Sequence, residues 1–250
     1  MIMKPMKQIT TRILYSLIAI AYLLSSNAQE ANVKPFFDTS AMPDLTKILN
    51  DPPSESSESF QYDIKCYLWG KEQRNDSLRT SIAVRDGVYG VETIAREFSI
   101  PFGITISKEN TPNIFNLLED ALATCDSICT LPKKYWHRPR PFVYFNEPTL
   151  TPSDESSLRL NGSYPSGHTI LGYSAALLLT EINPSRADTL MSRGIMYGDS
   201  RIIVGAHWHS DVNAGRLAAS IAYAKLHTSK RFLKQMRKAR NEFARKIKRK

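Results

Sequence analysis

Gly162-Ser163-Tyr164-Pro165-Ser166-Gly167-His168-Thr169 runs straight into Ile170-Leu171-Gly172-Tyr173-Ser174-Ala175-Ala176-Leu177-Leu178-Leu179. Pro165 cannot have a helix continuing behind it, and Ser166 is a strong N-cap. The apolar run that follows reads as a buried helix. Gly167 lets the backbone approach a ligand closely. A helix start presents N–H groups without intrahelical partners, and a hydroxyl at Ser166 and an imidazole at His168 stand beside them, which suits an anion. A Ser-Gly pair at a helix start is also a common plain cap, so the reading turns on the flanks.

Upstream lies Lys133-Lys134-Tyr135-Trp136-His137-Arg138-Pro139-Arg140-Pro141, with six residues between Lys133 and Arg140. Downstream, in Ser200-Arg201-Ile202-Ile203-Val204-Gly205-Ala206-His207-Trp208-His209-Ser210-Asp211, Arg201 precedes His207 by six and Asp211 follows it by four. A phosphomonoester carries about two negative charges at neutral pH. Its transfer needs cations and N–H donors aimed at the equatorial oxygens. Lys133, Arg140 and Arg201 supply cations, and the arginines can bind oxygens in bidentate fashion. Ser166 and the Gly167 N–H add donors. On a helix His207 and Asp211 would share a face, so Asp211 would hold one ring nitrogen and aim the other nitrogen's lone pair at phosphorus. His207 is then the nucleophile and His168 the general acid and base. His209 and His137 fall outside this pattern. Asp211 is the only acid in the three blocks, and the scheme needs no metal.

The three blocks resemble the tripartite signature of the acid phosphatase superfamily that also takes in lipid phosphatases and vanadium haloperoxidases. The run Gly162–Thr169 is similar to that of the bacterial class A non-specific acid phosphatases in particular. The resemblance extends from about Leu45 to about Phe243. It implies an all-α, single-domain helical bundle and a phosphoric monoester hydrolase of broad specificity acting through a phosphohistidine, with phosphotransfer to alcohols as a side activity. It assigns His207, His168 and Asp211 the same roles, makes Phe98 to Ser107 a candidate pocket rim, and brings self-association as a further expectation. No cofactor is implied; vanadate, a mimic of the pentacoordinate transition state, is expected to inhibit. A vanadium haloperoxidase is the second enzymatic reading, and a non-catalytic envelope protein that holds anions through its basic tail is the third.

Lys4, Lys7 and Arg12, the apolar run Ile13 to Leu24, and Ser26-Asn27-Ala28 read as a signal peptide cleaved near Ala28-Gln29, giving a periplasmic or secreted protein. An uncleaved anchor is the alternative, but a bilayer span needs about 20 residues. No span is expected in the mature chain. The formal charge of +9 is uneven: residues 225–250 hold 12 cations and one acid, Glu242, so residues 29–224 carry a net −5. That tail reads as a terminal helix with Phe232, Met236, Phe243 and Ile247 inward and a solvated basic face. Contact with nucleic acid or an anionic surface is the sharper alternative, and no nucleic-acid motif appears elsewhere. Cys66, Cys125 and Cys129 are an odd set, read as buried thiols or as one bridge from Cys66 to the other pair.

Residues 29–59 read as an extended lead-in and residues 60–250 as the helical domain. Helical spacing runs over Phe60 to Arg74 through Tyr62, Cys66 and Trp69. A second helix is expected from Asp76 to about Phe98, ended by Ile100-Pro101-Phe102-Gly103, and a third from Thr111, its cap, to about Ile128. Two more are expected over Ser185 to about Tyr197 and Trp208 to His227. Strand-type alternation is nearly absent.

Overall fold

The computed structural model describes residues 33–248; the expected signal peptide lies outside them. Ser57 caps α1 (Glu58–Glu72) through Phe60 N–H at 3.1 Å, and Asp76 caps α2 (Ser77–Asp86) through Arg79 N–H at 3.0 Å. Then come α3 (Val91–Phe102), α4 (Pro112–Ser127), α5 (Thr130–Trp136), α6 (Pro141–Tyr144) and α7 (Glu155–Arg159). The bundle closes with α8 (Gly167–Ile182), α9 (Ala187–Ile203), α10 (His209–Leu226) and α11 (Lys230–Ile247). With no strand among the described residues, the fold is the all-α helical bundle expected.

The chain is built around α8. It is apolar all round, as a central helix must be, and packs most extensively on α9, then on α10 and α4. The approach to α9 is close: a Cβ on Gly172 would lie 2.5 Å from the Tyr197 ring. The lead-in contains two 3-10 turns, Thr39–Ala41 and Leu45–Lys47, and buries Phe36, Met42, Leu45 and Leu49 in the main core. Its end braces the α8 junction, where Asn50 carbonyl accepts from Tyr164 O–H at 3.0 Å.

Several boundaries differ from the sequence reading. The helix expected over residues 76–98 is two helices, broken over Gly87–Gly90, where Gly90 takes a φ of 135°. The second of them runs through Pro101 to Phe102 and stops at left-handed Gly103. On α1 the inward residues are Phe60, Asp63, Tyr67 and Gly70, while Tyr62 and Trp69 are exposed. Thr111 does not cap α4. The Glu242 carboxylate does so from α11, accepting from the N–H groups of Asn113 (3.2 Å) and Ile114 (2.9 Å). α11 buries Phe232, Met236, Ala239 and Phe243, but Ile247 is exposed. The three cysteines are free thiols. Among the described residues no helix is long and apolar enough to cross a membrane.

Candidate active site

Three elements bring the cations together. Lys133 sits on α5, which ends at left-handed His137 (φ 42°), and the chain then runs through Arg138-Pro139 to Arg140 at the start of α6. Arg201 sits in the last turn of α9. Lys133 Nζ donates to Gly162 O at 2.8 Å. Arg140 donates to the carbonyls of Leu158, Asn161, Ala206 and Gly162 at 2.9 to 3.3 Å. Gly162 has to be glycine here, because a Cβ would come within 2.4 Å of Lys133 O. Arg201 is the exception: it is 0 % exposed, and none of its three guanidinium nitrogens has a hydrogen-bond partner among the described residues.

These cations line a cavity of ≈ 870 Å³, together with Gly167, His168 and His207. Burial lowers Lys133 to about 8 and Arg140 and Arg201 each to about 10. A pocket that strains three cations in this way favours an anion. Ser166 and Asp211 lie behind the wall. Ser166 Oγ accepts from Thr169 N–H (3.3 Å) and Thr169 Oγ1 (2.9 Å) as the α8 cap, which leaves its own O–H proton to donate.

His207 is not on a helix. It lies in the turn between α9 and α10, and Asp211 is in the first turn of α10. They still meet, with Nδ1 3.3 Å from Asp211 Oδ2. Arg140 Nη1 lies 2.9 Å from His207 Nε2, and arginine can only donate. Nε2 is therefore the acceptor, and the proton sits on Nδ1, facing Asp211. Burial first, then Arg140 and Lys133, hold His207 well below its ordinary value of 6.5, so the imidazole is neutral and its Nε2 lone pair accepts from Arg140. His168 Nε2 lies 3.0 Å from Gly87 O, which fixes its proton on Nε2 and leaves Nδ1 to exchange one. Burial and Arg201 likewise depress His168. Its ring meets Tyr89 edge to face at 5.1 Å.

The chain is similar to the non-specific acid phosphatase of Salmonella typhimurium, with 38% identity over 229 residues that make up 91% of each protein. The non-specific acid phosphatase of Providencia stuartii is 37% identical over 86% of this chain and 91% of its own. Residues 118–234 match the PAP2 superfamily. The chain belongs to the PAP2 superfamily. The acid phosphatase of Zymomonas mobilis is a further relative, 36% identical over 78% of this chain and 73% of its own. The PAP2 match spans α5 to α10, the stretch that carries every cavity residue of the three blocks.

This PAP2 site holds groups that local sequence did not reveal. Arg138 Nη1 donates to Asp211 Oδ1 at 2.6 Å and to Ser210 Oγ at 2.7 Å, while Nη2 donates to Asp63 Oδ2 on α1 at 2.8 Å. Arg138 therefore anchors the carboxylate that orients His207. Trp208 fixes the same turn by donating from Nε1 to Pro139 O at 2.8 Å. Asp126, on α4, contributes a carboxyl to the cavity wall, 3.4 Å from where a Gly167 Cβ would lie. Burial raises its pKa against the pull of Tyr89 and Lys133. The rim comes from Val88-Tyr89 and from residues 150–161; the segment Phe98 to Ser107 does not line this cavity. His137 and His209 stand outside it, His209 against the Tyr62 ring. Among the described residues no group of three or more His, Cys, Asp or Glu could hold a metal ion.

Proposed function

We propose that the protein is an exported acid phosphatase that hydrolyses a broad range of organic phosphomonoesters through a phosphohistidine on His207, without a metal. One observation carries this reading: the buried, unpartnered guanidinium of Arg201 faces a cavity shared with Lys133, Arg140 and the lone-pair nitrogen of His207. A phosphoryl group would satisfy all four at once. Ser166 and the N–H of Gly167 would add donors from the α8 start.

In the first half-reaction, Nε2 of His207 attacks phosphorus as the ester P–O bond breaks. His168, protonated as the dianion offsets the field of Arg201 and Arg140, gives its proton to the leaving alkoxide. Asp211 holds the Nδ1 proton throughout. In the second half, His168 takes a proton from water, the oxygen attacks phosphorus, the P–N bond breaks and orthophosphate leaves. An alcohol in place of that water gives phosphotransfer. The three cations supply the charge that a metal would otherwise bring. The breadth of specificity follows from the cavity, which is larger than a phosphoryl group requires and is rimmed by loops. Vanadate would bind as a transition-state mimic, and export follows from the leader-like residues 1–28.

The test is hydrolysis of p-nitrophenyl phosphate by the chain from Gln29 onward, across the pH range 4 to 8, with EDTA and with or without vanadate. EDTA-resistant, vanadate-sensitive release, with an acid-labile and base-stable phosphoenzyme trapped on His207, is expected. Appreciable turnover by His207→Ala would overturn the assignment of the nucleophile. No release at any pH would overturn the hydrolase reading.

A further inference from the structure

The basic tail is a docked helix with a one-sided charged face, and hydrolysis makes no use of that face. Glu242, the only acid of α11, is buried and committed to capping α4. Phe232, Met236, Ala239 and Phe243 fix the helix against the bundle. Arg231 pairs with Asp120, Arg240 with Glu181, and Lys246 donates to Asn110. Lys230, Lys234, Arg237, Lys238 and Arg245 are exposed and pair with no acid among the described residues.

At 100° per residue these five cations fall within one narrow arc opposite the buried stripe. No carboxylate interrupts the arc. The helix is held by its core residues, so the cations cannot fold back onto the body and its net −5. One aliphatic side chain, Leu233 at 46 % exposure, flanks the arc beside Arg237. Over 18 residues the face is about 27 Å long.

From this geometry we infer that α11 docks the protein on an anionic phospholipid surface. The cation arc would lie on the headgroups, and Leu233 would reach the acyl boundary. A row of Lys and Arg on an amphipathic helix recognises such a surface through its charge, and exposed aliphatics along the margin add burial. Single-stranded nucleic acid is the less suitable occupant: the arc carries no aromatic side chain on which a base could stack, and Leu233 gains nothing from phosphates.

The test is co-sedimentation of the chain from Gln29 onward, which contains the whole compact unit from Pro35 on, with two sets of vesicles. One set is pure phosphatidylcholine and the other contains phosphatidylglycerol. Binding is expected only to the anionic vesicles and should fall steeply with added salt. The variant Lys230→Glu, Lys234→Glu, Arg237→Glu, Lys238→Glu should bind them at least about 100-fold more weakly. Leu233→Ser should weaken binding about 10-fold at unchanged charge. The charge variant should keep its melting temperature and its p-nitrophenyl phosphate hydrolysis, since none of these residues lines the cavity; a four-Gln version serves if the Glu version does not fold. Equal binding to both vesicle sets, or unchanged binding by the charge variant, would overturn the inference. So would binding to a single-stranded RNA oligonucleotide without binding to the anionic vesicles.

Discussion

Replacing Arg201 with Met should make the protein more stable and a far poorer enzyme. The guanidinium is fully buried with three nitrogens unpartnered among the described residues, and burial lowers it from 12.5 to about 10. At about 1.4 kcal/mol per pH unit, that drop represents about 3 kcal/mol of cost in the empty fold. Methionine removes the charge and keeps a flexible apolar stem for the space beside Gly87 and Thr151. A gain of about 1–3 kcal/mol is therefore expected, or about 2–4 °C in melting temperature per kcal/mol. The effect on catalysis has the opposite sign. Two charge-assisted hydrogen bonds to phosphoryl oxygens are worth about 1.5–3 kcal/mol each, so kcat/KM should fall by about 10²–10⁴. The assay pairs urea denaturation in phosphate-free buffer with p-nitrophenyl phosphate kinetics, each repeated with vanadate. Vanadate should stabilise the wild type by mass action and the variant much less. A variant that is less stable than wild type without any anion, or that keeps kcat/KM within about threefold, would refute the reasoning.

Other perturbations probe the rest of the site. Lys133, lowered to about 8, is charged below that pH and neutral above it, so kcat/KM should fall as pH rises through about 8; Lys133→Arg should lack this alkaline limb, and superimposable profiles would count against it. Arg138→Met strands the carboxylates of Asp63 and Asp211, both essentially unexposed, and should cost about 3–5 kcal/mol in chemical denaturation. Adding Asp63→Asn should recover part of that, and a single-variant loss under about 1 kcal/mol would remove Arg138 from the anchoring role. Burial raises Asp126, so its carboxyl stays neutral further up the acid range and then places a negative charge beside the phosphate site as pH rises. Asp126→Asn should hold kcat/KM flat toward neutral pH where the wild type declines, and identical profiles between pH 4 and 8 would sink the idea.

The positions legible in the sequence were those whose chemistry is local. The Ser166 cap, the apolar run of α8 and the short Lys133–Arg140 and Arg201–His207 spacings lie within single turns or single loops, where chain geometry leaves few choices. The break after Asp86 had a local signal, Gly87 and Gly90 three residues apart, which the apolar periodicity of the flanking helices masked. It matters to the site, because it frees Gly87 O to accept from His168. Long-range partners left no such mark. Asp63 is 75 residues from Arg138, and Glu242 is 128 residues from the Ile114 N–H it caps. Each was one acid among many until the packing of α1 and of α11 gave it a cation or a helix end. The His207–Asp211 contact was foreseen by a helical argument that does not hold. A turn followed by a first helical turn also brings residues four apart together, and the Trp208 N–H bond to Asp211 Oδ2 at 2.8 Å sets that geometry.

The hydrogen-bond inventory divides the cations by task. Lys133 and Arg140 each have carbonyl partners in the empty site, and those bonds fix their positions. Arg201 has none among the described residues, so an incoming anion gains most there, where no existing bond must be broken. Arg140 Nη1 also holds Nε2 of His207, which keeps the lone pair occupied while the site is empty. Under the proposed mechanism, a phosphoryl oxygen that draws Arg140 Nη1 to itself frees that lone pair at the moment phosphorus comes within reach. Arg140 would then both hold the phosphate and release the nucleophile, and Arg140→Lys, which keeps the charge but loses the fork, should lower kcat more than it raises KM. A variant with kcat unchanged and only KM raised would show that release of Nε2 does not depend on this arginine.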